Sequence, residues 1–295
     1  MDIRNVQKTG NMHYVYMPTA WCKKNKIASD SKVAIEMNND GSLTIHPQLV
    51  EKKSKELKLT IDEDDHSIIQ KLIIAAYINP ASSFKINLEK KLDFTNLLQQ
   101  RKLISLELVE LGKNSITCDS SIQVSNASAL LNTMIRKVRN MLIVMLKNYN
   151  KELLERYEEE IDRSQLLIEK SVIDSLTFTR TSKLKSIDLY YISNISKDLE
   201  KMVDRLINID KKETKFLQEV LDVMDFLKKI LTNALDEKNS SLDYKTAIDF
   251  IKKVEAMKEV KIADLQTNEQ MRLKQYLVAV SETLIDWSIT KRLED

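Results

Sequence analysis

His13-Tyr14-Val15-Tyr16-Met17-Pro18-Thr19-Ala20-Trp21 and Val33-Ala34-Ile35-Glu36-Met37-Asn38-Asn39-Asp40-Gly41-Ser42-Leu43-Thr44-Ile45-His46-Pro47 decide how this chain begins. In the first stretch His13, Val15 and Met17 alternate with Tyr14 and Tyr16, the period of a half-buried strand. Pro18 stops it, and Thr19 stands where it can cap a short helix through Trp21 to Lys26. In the second, Val33, Ile35 and Met37 alternate, as do Leu43 and Ile45. The Asp40-Gly41 pair between them is a hairpin signal, because a type I′ turn needs positive φ at both central residues. Residues 1–47 therefore read as a small β-rich module. So small a unit buries too little surface to be stable alone, so a homodimer is expected, with strands of two chains completing one barrel.

Breakers divide the rest. All three glycines (Gly10, Gly41, Gly112) and all three prolines (Pro18, Pro47, Pro80) precede residue 113. The remainder, rich in Leu, Ile, Lys and Glu, reads as helical bundle. Between the two, residues 57–124 read as a small α+β domain of β-α-β-α-β-β order. Its strands are Leu57–Ile61, Phe84–Leu88, Ile104–Leu111 and Ser115–Cys118. Its helices are one ending at Asn79-Pro80 and one over Asp93–Lys102. The run Asp62-Glu63-Asp64-Asp65 sits at the start of the first helix, where carboxylates complement the helix dipole, so it needs no metal to explain it.

From Ser125 onward, polar breaks at Asn148–Asn150, Thr179–Ser182, Ile209–Lys211, Asn239–Ser241 and Gln266–Asn268 mark out about six helices. Thr267 with Gln270 has the spacing of a capping-box start. The six divide into two three-helix bundles, 125–210 and 211–295.

Charge and composition narrow the function. The chain has 295 residues, 46 basic and 44 acidic, a net +2. Arg4, Lys8, Lys23, Lys24, Lys26 and Lys32 outnumber Asp2, Asp30, Glu36 and Asp40 by that same surplus, so it lies in the opening module. A two-fold dimer would double it on one face, a footprint suited to duplex DNA. The best candidates for DNA contact are Arg4, Lys8, Lys23, Lys24 and Lys26, whose charges neutralise phosphates. No apolar run approaches the ~18 residues of a membrane span, and no signal-peptide pattern opens the chain. Cys22 and Cys118 make no disulfide framework. A cytoplasmic protein without membrane insertion is expected. The sequence holds no nucleophile–base constellation, no Gly-rich phosphate loop and no HExxH, so catalysis is not expected.

The helices carry one recurrent chemical pattern. Glu200-Lys201-Met202-Val203-Asp204 and Glu282-Thr283-Leu284-Ile285-Asp286 occupy the third helix of each putative bundle, and Glu158-Glu159-Glu160-Ile161-Asp162 the second helix of the first. The i,i+4 spacing puts both carboxylates of a pair on one helix face, where they repel unless a cation stands between them. Facing pairs can chelate a hard cation such as Mg, Mn or Fe. Solvated charge faces give the same spacing without any metal. No histidine follows His66, which excludes a His-rich zinc site from the helical half.

Together, Val6-Gln7-Lys8-Thr9-Gly10, Pro18-x-x-Trp21 and Asp40-Gly41-Ser42-Leu43-Thr44-Ile45-His46-Pro47 resemble the SpoVT/AbrB-like swapped-hairpin DNA-binding domain that opens archaeal PhoU-family phosphate uptake regulators. The helical half resembles the PhoU region of that family, a tandem pair of three-helix bundles. Glu158/Asp162, Glu200/Asp204 and Glu282/Asp286 match its Glu/Asp-x-x-x-Asp metal motifs. The resemblance implies a dimeric transcriptional regulator of phosphate homeostasis, with a carboxylate-bound cation (Mg, Mn, Fe or Zn) in its body. Two departures stand out. Ala28-Ser29-Asp30-Ser31-Lys32 lacks the family's turn glycine, and Arg205 and Trp287 stand where the metal motif often continues to a histidine. The alternative is an adaptor that docks on a phosphate transporter or sensor kinase, its N-terminal module serving only dimerisation.

Overall fold

The computed structural model describes residues 3–37, 41–47, 56–81, 83–90, 109–112, 115–119, 126–177, 184–235, 242–257 and 260–292. The chain divides into two compact units, Met1–Ser54 and Lys55–Asp295.

The first unit consists of two hairpins and a short helix. β1 (Gln7–Thr9) pairs antiparallel with β2 (Met12–Tyr14), and β3 (Ala34–Met37) with β4 (Leu43–His46). The second hairpin is the one expected. The first was not, since its strands are too short to show a period. Gly10 closes it at φ 62, a conformation without side-chain cost only for glycine. β2 ends at Tyr14, so Tyr16 and Met17 lie beyond the strand expected for them. α1 (Thr19–Lys24) has Pro18 as its N-cap and no side-chain cap, placing Thr19 inside the helix.

The exit from α1 is a Schellman turn: Ile27 N–H bonds Cys22 O at 2.9 Å and Lys26 N–H bonds Lys23 O at 3.2 Å. It forces Lys26 to φ 54, a left-handed backbone that costs a non-glycine residue about 1 kcal/mol. No described residue of this unit is buried. Ile3, Val6, Tyr16, Ile35, Met37 and Leu43 are each more than 60% exposed. The alternation of Val33–Met37, from Ala34 on, and that of Leu43–Ile45 lie in strand, that of His13–Met17 only as far as Tyr14. The expected half-burial is absent: Tyr14, Val15, Tyr16, Ile35, Met37, Leu43 and Ile45 are exposed.

The second unit opens with a sheet of order β5-β6-β8-β7. β5 (Glu56–Ile61) and β6 (Ser83–Leu88) run parallel around α2 (His66–Ile78). β7 (Val109–Leu111) and β8 (Ser115–Asp119) form a hairpin where one was expected, antiparallel to β6 through β8, while residues 104–108 of the expected strand lie outside the described residues. The expected helix at 93–102 lies outside the described residues. Ile69, Ile73, Ala76 and Tyr77 of α2 pack on Phe84, Ile86, Leu88, Ile116 and Cys118 of the sheet. The acidic run behaves as charge complementarity suggests. Asp65 caps α2 by accepting from Ser67 N–H at 2.7 Å and Ile68 N–H at 3.3 Å. Lys90 lies 3.3 Å from Asp62 and 3.6 Å from Asp64.

Six helices complete the unit: α3 (Ala127–Lys147), α4 (Lys151–Thr177), α5 (Ser186–Leu206), α6 (Thr214–Ala234), α7 (Tyr244–Glu255) and α8 (Leu265–Arg292). α3, α4 and α5 pack on one another, while α7 packs on α6 and α8. The main seams between these triplets run α3 to α6 and α5 to α8, first helix to first and third to third. One hydrophobic core runs through all six. The break expected at Gln266–Asn268 lies earlier: Asp264 Oδ1 accepts from Thr267 N–H at 2.8 Å, and Thr267 Oγ1 accepts from Asp264 N–H at 3.0 Å. Thr267 thus closes a capping box that begins at Asp264, three residues upstream of the expected one.

A polar cluster lies within the core between α5 and α8. Buried Trp287 donates Nε1–H to Asp188 Oδ1 at 2.7 Å, and Lys291 Nζ stands 3.6 Å from the same oxygen. α4 joins the sheet layer to this body: Leu166 and Leu167 pack against the sheet core, and Lys170 Nζ donates to Tyr77 O at 2.6 Å. No described helix is long and apolar enough to cross a membrane.

Candidate metal centre and DNA-contact residues

The α4–α5 seam is polar along one edge. Lys197 Nζ pairs with Glu169 Oε1 at 3.1 Å, and Gln165 Nε2 donates to Glu169 Oε2 at 3.0 Å. On the same seam Asp162, two turns before Glu169 on α4, meets Glu200 and Asp204 of α5, about one and two turns after Lys197. One oxygen from each of the three lies within 4.8 Å of the others, and all three residues are half-buried. The helical period creates this meeting. Glu200 and Asp204 share a face of α5 because they are four apart, while Leu199, Met202, Val203 and Leu206 turn into the core and hold that face against α4. At this spacing each pair of ionised carboxylates repels by about 3 kcal/mol with an effective dielectric near 20. A divalent cation reverses that sign. The donor set, all carboxylate oxygen and half-buried, suits a hard cation such as Mg or Mn better than it suits thiolate- or imidazole-seeking metals.

The other expected ligands fall elsewhere. Glu158, one turn from Asp162, is half-buried and outside this group of three. Glu282 and Asp286 are exposed and join no such group among the described residues. Their partner helix explains it. α7 has 12 residues against 27 in α4, and carries Lys245, Lys252 and Lys253 beside only two carboxylates, Asp249 and Glu255. Arg205, next to Asp204, reaches across to α8, its Nη1 lying 3.6 Å from Glu269 Oε2. Glu269 was missed from sequence, since nothing in its own helix marks it as buried.

The five basic candidates all belong to the first unit and all are exposed. Lys8 stands opposite His13 in the β1–β2 register. Lys23 and Lys24 occupy the last turn of α1, where cations favour the helix dipole. Arg4 precedes β1, and Lys26 holds the left-handed turn.

No family model, curated protein or solved structure matches this chain.

Proposed function

We propose that the chain is a homodimeric DNA-binding transcriptional regulator. Its first unit reads duplex DNA, and its helical body senses a signal through a cation held by Asp162, Glu200 and Asp204. The observation that carries this reading is the state of the first unit. It presents exposed apolar faces on two hairpins and exposed Arg4, Lys8, Lys23, Lys24 and Lys26, with no buried residue among those described. Such a unit gains a core only from a partner surface, and a second copy supplies the same strands and doubles the positive charge. The resemblance to AbrB-like domains points the same way, and the resemblance to PhoU regions suggests phosphate supply as the signal. The body needs no catalytic role in this reading.

The decisive measurement is the affinity of the full-length chain for genomic duplex fragments over a salt series. Log affinity should fall linearly with log salt, and light scattering should return twice the mass of one chain. Absence of any retained fragment at low salt would remove the DNA function.

A further inference from the structure

Three residues in the described part of the first unit hold a positive φ: Gly10, Gly41 and Lys26. At two of them the sequence supplies glycine, which adopts that backbone without side-chain cost. At the third it supplies lysine. The conformation at position 26 is dictated by the turn, because the Ile27-to-Cys22 and Lys26-to-Lys23 hydrogen bonds that end α1 require it. Glycine, or asparagine such as neighbouring Asn25, is the ordinary occupant of such a position. Favourable interaction with the helix dipole does not account for the choice, since Lys23 and Lys24 already fill that role in the last turn. What lysine adds is a third exposed ammonium within four residues.

We propose that Lys26 is a DNA-positioning residue. With Lys23 and Lys24 it forms a phosphate-binding row at the exit of α1, and its strained backbone is retained for the charge it carries. This rests on the DNA-binding reading above. An ammonium makes point contacts with phosphate oxygens and does not impose the fork of an arginine. The row would thus fix where the module sits on the duplex backbone and contribute nothing to base choice. Backbone strain kept at a working surface is the expected signature of such a trade.

The test compares the full-length chain with Lys26→Gly, Lys26→Asn and Lys26→Arg. Anisotropy with a labelled duplex from about 50 to 200 mM salt gives the salt slope, and thermal unfolding gives the midpoint. Removal of one phosphate contact per protomer should lower the slope of K26G and K26N by about 0.9 per protomer. Their unfolding midpoints should rise or hold, and K26R should keep the wild-type slope. A wild-type slope in K26G would overturn the proposal while leaving DNA binding intact. So would a lowered midpoint in both K26G and K26N, which would make lysine a structural choice. A wild-type chain that binds no duplex would overturn the DNA reading and this proposal together.

Discussion

Lys170 shows how a single buried charge is accommodated. Its side chain is 8% exposed, donates to Tyr77 O at 2.6 Å and lies 4.7 Å from the centre of the Tyr77 ring. Burial holds its pKa below the ordinary 10.5, only partly offset by the neighbouring Cys118 and Asp174. The sign of the linkage follows. Below the lowered folded value both states carry the proton, and burial of the charge is at its most costly. As pH climbs past that value the folded chain sheds the proton, while the unfolded chain keeps it up to 10.5. Stability therefore rises across that interval. Urea midpoints measured from pH 8 upward should show this rise, and Lys170→Met should flatten it. A flat wild-type profile would mean that the charge is better solvated than its burial indicates. None of this was legible in Glu169-Lys170-Ser171, since burial of a lysine depends on what α2 brings against it.

At the scale of elements, the helix ends are the instructive places. With no glycine beyond Gly112, the six helices of the body end without a glycine C-cap, and neighbouring lysines serve several helices as caps. Lys274 of α8 donates to Met257 O, two residues past the end of α7, at 2.7 Å and to Glu255 O, the last residue of α7, at 3.4 Å. Lys291 donates to Ala234 O, the last residue of α6, at 3.0 Å. Lys170 does the same for α2. Gln266 plays a related part at the α5–α6 connection, donating to Asn208 O at 2.8 Å and accepting from Asp210 N–H at 2.9 Å. Replacing Lys274 by Met should cost about 1–2 kcal/mol in denaturant unfolding, with faster amide exchange in the last turn of α7 than elsewhere. The absence of breakers from this half was visible in the sequence and predicted helices correctly. The device that replaces glycine was not, because it joins residues distant along the chain. α8 is capped three residues before the cap expected at Thr267, for a local reason. Asp264-x-x-Thr267 and Thr267-x-x-Gln270 are both plausible caps, and only the packing of Glu269, Gln270 and Leu273 as buried residues selects the first.

For the molecule as a whole, the two units differ in kind. The second contains every buried residue among those described, while the first contains none. Removal of residues 1–54 should leave the helical body cooperatively folded, with its thermal midpoint nearly unchanged, and should abolish DNA binding. If the truncated chain lost its cooperative transition, the body's core would depend on the first unit. The asymmetry of the two carboxylate seams sets a second expectation. Calorimetric titration with Mn should return one cation per chain, lost in Asp162→Asn and Asp204→Asn and kept in Asp286→Asn. Two equivalents per chain would place a second cation outside the one carboxylate group found among the described residues.

The sequence by itself determined the strands of the second hairpin, the β5–α2–β6 order, the presence of helices after residue 125 and the i,i+4 carboxylate pairs. Each is written in local periodicity and in the placement of Gly and Pro, which act within a few residues. Only the tertiary structure decided that Asp162 meets Glu200 and Asp204, while Glu282 and Asp286 stand in solvent. The same short pattern occurs in both third helices. What separates them is the helix packed alongside, long and acidic in one case, short and lysine-bearing in the other, and a chain's own period carries no information about its neighbour.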